Sequence, residues 1–193
     1  MLKDYATEKP TLETSRLTLR PMNAADVPDL KEWLARDEIY TYWGRKASPA
    51  EREPERLFID ARPWVKRKPD LGFDWGIVLR ETGKVVGTLT IFEVENNRMA
   101  GVGYRLDPRL WGHGVATEAL REAVRFLFER TELDRLWATV DVRNIASQRV
   151  LEKSGFLREG TIRRGKMVST YCDYHMYGLL REDAGFSTTT DKE

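Results

Sequence analysis

At 193 residues the chain is long enough for one domain with a real hydrophobic core and short for two. Its 32 Lys and Arg nearly cancel 31 Asp and Glu, which argues against nucleic acid as an obligate partner; no run of 18 apolar residues offers a membrane span, and the start MLKDYATEKP lacks the apolar stretch of an export signal. Cys172 is the only cysteine, so no intrachain disulfide can form, and a reducing, cytoplasmic setting is expected.

In chain order, Leu17 and Leu19 alternate with Arg16, Thr18 and Arg20, predicting a strand that Pro21 stops. Asp26 then opens DVPDLKEWLA, where Val27, Leu30, Trp33 and Leu34 recur at helical spacing. From Ser48 to Asp70 the chain is charged and proline-rich; Leu57, Phe58, Ile59 and Trp64 predict a short irregular helix, and Lys66-Arg67-Lys68 reads as a solvated turn. Phe73, Trp75, Ile77 and Leu79 at period two, the turn ETGK and the run VVGTLTIFEVE predict a hairpin, and ENNR turns the chain into a third antiparallel strand, MAGVGYRL.

A helix follows with Leu120, Val124, Leu127 and Phe128 as its apolar stripe, ending near Arg130. RLWATVDV is the next strand, and NIASQRVLEKSGF is a short helix with Asn144 placed to cap it and Gly155 to stop it. FLREGTIRRG and YCDYHMYGLL are the last two strands. The predicted class is α+β, one domain over 12–183 with an N-terminal extension (1–11) and a flexible tail (184–193). Only the crossover through Ala116–Arg130 can join parallel strands.

The stretch RLWGHGVATEALREAV places Gly112 and Gly114 immediately before that long helix. First-turn N–H groups have no internal partner and sit at the positive end of the helix dipole, so the position attracts anions. A bulky diphosphate reaches those amides only if the loop lacks Cβ atoms at close-contact positions, which is what the glycines provide. Arg109 could add a charge-assisted contact, and Ala116 keeps the first turn slim. No Gly-Lys-Ser/Thr follows, so this is not a P-loop, and no third glycine completes a dinucleotide fingerprint. A tight strand-to-helix connection is the other reading of the same glycines.

Arg109-x-x-Gly112-x-Gly114-x-Ala116 between GVGYRLDP and ATEALREA resembles the coenzyme A pyrophosphate loop of the GNAT acetyltransferase superfamily. NIASQRVLEKSGF, with Asn144, Ser147, Arg149, Glu152, Lys153, Gly155 and Phe156 in register, resembles the next helix of the branch that acetylates ribosomal-protein N-termini, as do the ending DYHMYGLLRED and the opening RLTLRPMNAADVPDL. The resemblance spans roughly Leu12 to Asp183. It implies a mostly antiparallel curved sheet whose fourth and fifth strands, MAGVGYRL and RLWATVDV, splay apart around acetyl-CoA. The residues implied to hold that cofactor are Leu106, Arg109, Trp111, Gly112, His113, Gly114, Val115, Ala116, Thr117, Asn144, Ser147, Arg149 and Lys153.

A thioester is a good electrophile, so such an enzyme mainly positions an unprotonated amine, stabilises an oxyanion and lets a thiolate leave. The resemblance implies that Ser147, three residues after Asn144, interacts with the sulfur, since Leu151 stands where many relatives carry an acid tyrosine. Gly101 stands where the family often has a carboxylate, so Glu93 is the expected base through a water, Glu95 is expected to reach the same cleft and contact the acceptor, and Tyr177 is a further catalytic candidate. Tyr40, Tyr42 and Trp43 are expected to wall the acceptor site. His113 and His175 lack the company of a metal site. The expected activity is acetyl transfer to a protein N-terminal α-amine by direct attack in a ternary complex, as a monomer or homodimer. A small amine (amino acid, polyamine or aminoglycoside) and, because of Gly101, a catalytically impaired acyl-CoA-binding module are the alternatives.

Overall fold

The computed structural model describes residues 9–59 and 72–187. Lys66-Arg67-Lys68, Trp64 and the ends of the expected extension and tail lie outside that range. Strands β1 (Leu12–Glu13) and β2 (Leu17–Arg20) pair through a tight turn in which the Thr14 amide donates to the Leu17 carbonyl at 2.9 Å. Asp26 stands at the N-cap of the expected helix, and a 3-10 turn begun by Asn23 precedes it. The Asn23 side chain accepts from Ala25 while Asp26 reaches back to the Asn23 amide, a capping box on the 3-10 turn Ala24–Asp26 that leads into α1 (Val27–Trp33). Two short helices, α2 (Pro49–Arg52) and α3 (Arg56–Ile59), stand where an irregular helix was expected.

The central meander is β3 (Gly72–Leu79), β4 (Val85–Glu95) and β5 (Met99–Leu106). Asn96 and Asn97 make its second turn with φ of 48° and 58°, a left-handed pair that asparagine tolerates. Helix α4 (Val115–Arg130) then crosses to β6 (Arg135–Asp141); α5 (Ile145–Lys153) leads to the hairpin β7 (Leu157–Met167) and β8 (Thr170–Leu180). The order is β1-β2-β3-β4-β5-β6-β8-β7, and only β5 and β6 run parallel, through the α4 crossover. The short β1 adds one strand to the count, so the expected fourth and fifth strands are β5 and β6.

Period-two alternation splits the sheet into two faces. Phe73, Trp75, Ile77, Leu89, Ile91, Ala100 and Val102 turn toward Ala119, Leu120, Ala123, Leu127 and Phe128 of α4 and form the main core. Each fully buried large side chain there contributes about 1.5–3 kcal/mol. Ala184 and Phe186, beyond the expected domain boundary, also pack on this core. On the opposite face Leu30, Trp33 and Leu34 close a smaller core on Val78 and Val85. The alternate residues of that face, Asp74, Thr88, Thr90, Phe92, Gly101, Gly103 and Arg105, line the middle of the sheet.

Candidate active site

The parallel pair β5–β6 is joined only at Met99↔Arg135, Ala100↔Leu136 and Gly101↔Trp137. Beyond Gly101, β5 stays bonded to β4 and β6 to β8, but the two do not bond each other. The sheet therefore opens into a V, and the inner edges of 102–106 and 138–141 carry backbone groups that an extended ligand can satisfy as a strand would.

The glycine loop stands at the mouth of this V. Asp107 caps the 3-10 turn Pro108–Leu110, and the Trp111 indole donates to the Leu106 carbonyl at 3.0 Å. Gly112 and Gly114 have φ of 81° and 78°; a Cβ on Gly112 would meet nothing within 4 Å, and one on Gly114 only the Arg16 guanidinium at 3.6 Å. Gly114 is the N-cap of α4 and offers no side chain, and among the described residues no acceptor engages the amides of 112–117. Glu118 instead binds outward, to the Arg16 amide and guanidinium and to Thr14 at 2.6 Å, tying the β1–β2 turn to the first turn of α4. Between them lies a groove of about 600 Å³ whose charged lining is Arg16, Arg121, Arg125 and Lys153 against Glu118 and Glu122, a net excess of positive charge. Free amides, space in front of the glycines and a net positive lining together suit a diphosphate and its attached nucleoside.

Of the expected cofactor-binding side chains, Arg109 is engaged within its own turn. Arg109 lies against Asp107 (2.6 Å) and Glu32 (3.1 Å), because a carboxylate two residues back captures it. His113 turns its Nδ1 to the Trp111 carbonyl, and Arg149 is exposed on α5.

On the helix side of the V, Asn144 caps α5 by accepting from the Ser147 amide at 3.1 Å. The Ser147 hydroxyl is 2.9 Å from the Tyr104 hydroxyl, which reaches across from the unpaired part of β5 and also donates to the Ser147 carbonyl. Burial pushes the Tyr104 phenol well above its ordinary range, only partly offset by the bond to Ser147, so it stays protonated at neutral pH. Tyr104 was not singled out from sequence; its place beside Gly103 at a core-facing position was the available signal.

Tyr177 is fully buried in the core, and its hydroxyl donates to Glu152 at 3.0 Å; burial and that carboxylate push it up to about 12. Glu93 (φ 48°) and Glu95 are exposed at the closed end of the V, where Glu95 pairs with Met99. Tyr177 is thus tied to the same helix that carries Ser147 and adds to the rise of Tyr104, whereas Glu93 and Glu95 stand apart at the closed end. At Gly101 a Cβ would stand 2.5 Å from the Phe92 ring, which packs edge-on to Trp137 at 5.3 Å. The position at which a carboxylate was expected from the resemblance is here a glycine crowded by an aromatic pair.

The aromatic cluster sits on the opposite face, on the 3-10 turn Asp37–Trp43. Tyr40 is core, its hydroxyl on the Leu34 carbonyl at 2.6 Å. Trp43 lies under the guanidinium of Arg105, from β5, while Tyr42 lies under Arg143, just past β6, so neighbouring rings reach toward the two arms of the V. Behind Trp43, Arg45 and Arg105 each contact the 2 % exposed Glu51 at 2.6 Å, and the Ser48 amide donates to it. Burial alone would raise Glu51, but Arg45, Ser48 and Arg105 outweigh it and hold the carboxyl at about 2. This cage was invisible in sequence, since its members lie up to 60 positions apart.

Residues 16–157 match the acetyltransferase (GNAT) domain family. The chain is 31% identical over 174 residues to the N-acetyltransferase YoaA of Bacillus subtilis (strain 168), covering 89% of this chain and 97% of that one. It is 28% identical, over 86% and 92% of the two chains, to YdaF of the same organism, provisionally named a ribosomal N-acetyltransferase. Among solved structures, Mycobacterium smegmatis RimJ in complex with CoA-disulfide superposes with a TM-score of 0.77 at 24% identity, over 93% of this chain and 91% of that one.

Proposed function

The chain belongs to the GNAT acetyltransferase family and is an acetyl-CoA-dependent N-acetyltransferase, and from that premise we propose that its acceptor is the α-amine of a protein N-terminus, acetylated by direct attack in a ternary complex. The observation that carries the reading is the V between β5 and β6 with uncapped amides at its mouth. Acetyl-CoA supplies the activated acyl group. In this reading the amides of Gly112, His113, Gly114, Val115, Ala116 and Thr117 hold its diphosphate, with Arg121 and Lys153 bordering the nucleoside end. The inner strand edges, including Val102 and Ala138, hold the pantetheine arm.

Ser147, fixed by the Asn144 cap and by Tyr104, stands ready to hydrogen-bond the departing sulfur. Tyr104 is positioned to hold the Ser147 hydroxyl in place through that pair. The acceptor enters from the face of Gly103, Thr90 and Phe92, walled by Tyr42 and Trp43. The provisional name of YdaF supports a protein N-terminus. A small amine is the second reading, favoured by the two rings that lie under Arg105 and Arg143 beside the arms of the V.

Thiol release with acetyl-CoA and a panel of N-terminal peptides and small amines tests the proposal. Turnover on peptides at a kcat/KM well above that on free amino acids or polyamines is expected. The reverse order would make the enzyme a small-molecule acetyltransferase.

A further inference from the structure

With Gly101 bare and Glu93 and Glu95 at the far end of β4, the reaction still needs a group to take the proton that keeps an alkyl amine from attacking at neutral pH. One row of the sheet leads from the V to such a group. Gly103, two residues into the unpaired part of β5, is in register with Thr90 of β4, and Thr90 with Asp74 of β3. All three lie on the face away from α4 and α5. A Cβ on Gly103 would meet nothing but the edge of the Phe92 ring at 3.4 Å, so the first position of the row is open. The Thr90 hydroxyl donates to Asp74 Oδ1 at 2.5 Å, which leaves the hydroxyl's lone pairs free to accept a further N–H.

The partners of the other carboxylates on this face set Asp74 apart. Glu51 is held by Arg45 and Arg105, Asp141 by Arg143, and Glu159 by Arg135. Their charge is already matched. Asp74 has no arginine or lysine partner among the described residues; Thr90 is the group that engages it. A half-buried carboxylate held only by a hydroxyl retains most of its attraction for a cation.

We propose that Thr90 and Asp74 form the acceptor-side proton path of the acetyl transfer, Thr90 touching the incoming amine and Asp74 acting through it. The inference rests on the N-acetyltransferase reading and names the residues that activate its acceptor. The ammonium over Gly103 donates to Thr90 Oγ. Its proton passes to that oxygen as the Thr90 proton passes to Asp74, and the freed lone pair forms the new N–C bond while the C–S pair leaves on sulfur. The nitrogen then sheds a second proton; one of the two protons ends on the thiol and the other in solvent.

The test is steady-state kinetics of Asp74→Asn, Thr90→Val and Thr90→Ser on an alkyl-amine acceptor of the wild type and on an aromatic amine, which is already unprotonated at neutral pH. Asp74→Asn and Thr90→Val should lower kcat on the alkyl amine by about 100-fold and on the aromatic amine by no more than about threefold, with Thr90→Ser close to wild type. CoA affinity should not move, and each variant should remain folded at the assay temperature. Wild-type rates in Asp74→Asn, or equal losses on both acceptors, would overturn the proposal while leaving the transferase intact. A wild type that acetylates neither amine nor peptide would instead remove the reading on which it rests.

Discussion

Glu51→Gln discharges a buried carboxylate that two arginines share without changing its shape. The carboxyl's ordinary value is 4.5 and the cage holds it at about 2, a shift that corresponds to on the order of 3 kcal/mol of folding free energy at neutral pH. Breaking a buried pair also strands the partner charge, so a loss of roughly 3–5 kcal/mol is expected. Because the folded value lies below the unfolded one, this contribution is fully present above about pH 4.5 and disappears as pH falls toward about 2. Urea unfolding of both proteins at pH 7 and at pH 3 reads it: the wild type should lead by several kcal/mol at pH 7 and by clearly less at pH 3. Equal stabilities at pH 7, or a gap that does not narrow on acidification, would refute the cage as a charge-driven element. Since Arg105 also lies over Trp43, the variant should raise the acceptor KM more than it changes CoA affinity.

Two further outcomes follow from the geometry. Gly101→Ala puts a methyl 2.5 Å from the Phe92 ring and should cost roughly 1–3 kcal/mol by thermal melting, a cost that should shrink in a Phe92→Ala background; additive losses would show that the two do not compete for space. Ser147→Ala removes the hydroxyl assigned to the departing thiolate and should lower kcat about 10- to 100-fold at unchanged CoA affinity, by stopped thiol-release assays; an unchanged kcat would remove Ser147 from the chemistry.

The meander, the α4 crossover and the Asn144 and Gly155 boundaries of α5 were legible because each is written locally, in period-two or helical spacing and in capping residues. The glycine loop was legible for the same reason. What escaped was whatever depends on register or on distance along the chain. Asp74, Thr90 and Gly103 share a row only because β3, β4 and β5 pair with these offsets, and Glu51 meets Arg105 only after the sheet and α2 are in place. Asp26 opens α1 as its sequence suggests, but the 3-10 turn capped by Asn23 before it was missed, since its box closes through the pairing of Asp26 with Arg20 and the Asn23 amide. Arg109 reads as a phosphate ligand until Asp107, two residues back and buried, is seen to hold it.

The central claim is that the open amides before α4 receive the diphosphate of acetyl-CoA. Titrating CoA into ¹⁵N-labelled protein and following amide resonances tests it residue by residue. Saturable shifts centred on Gly112, His113, Gly114, Val115, Ala116 and Thr117, reduced in a Gly114→Trp variant that keeps its fold, are the predicted result. Binding that leaves those amides unmoved while shifting residues at another surface would contradict it.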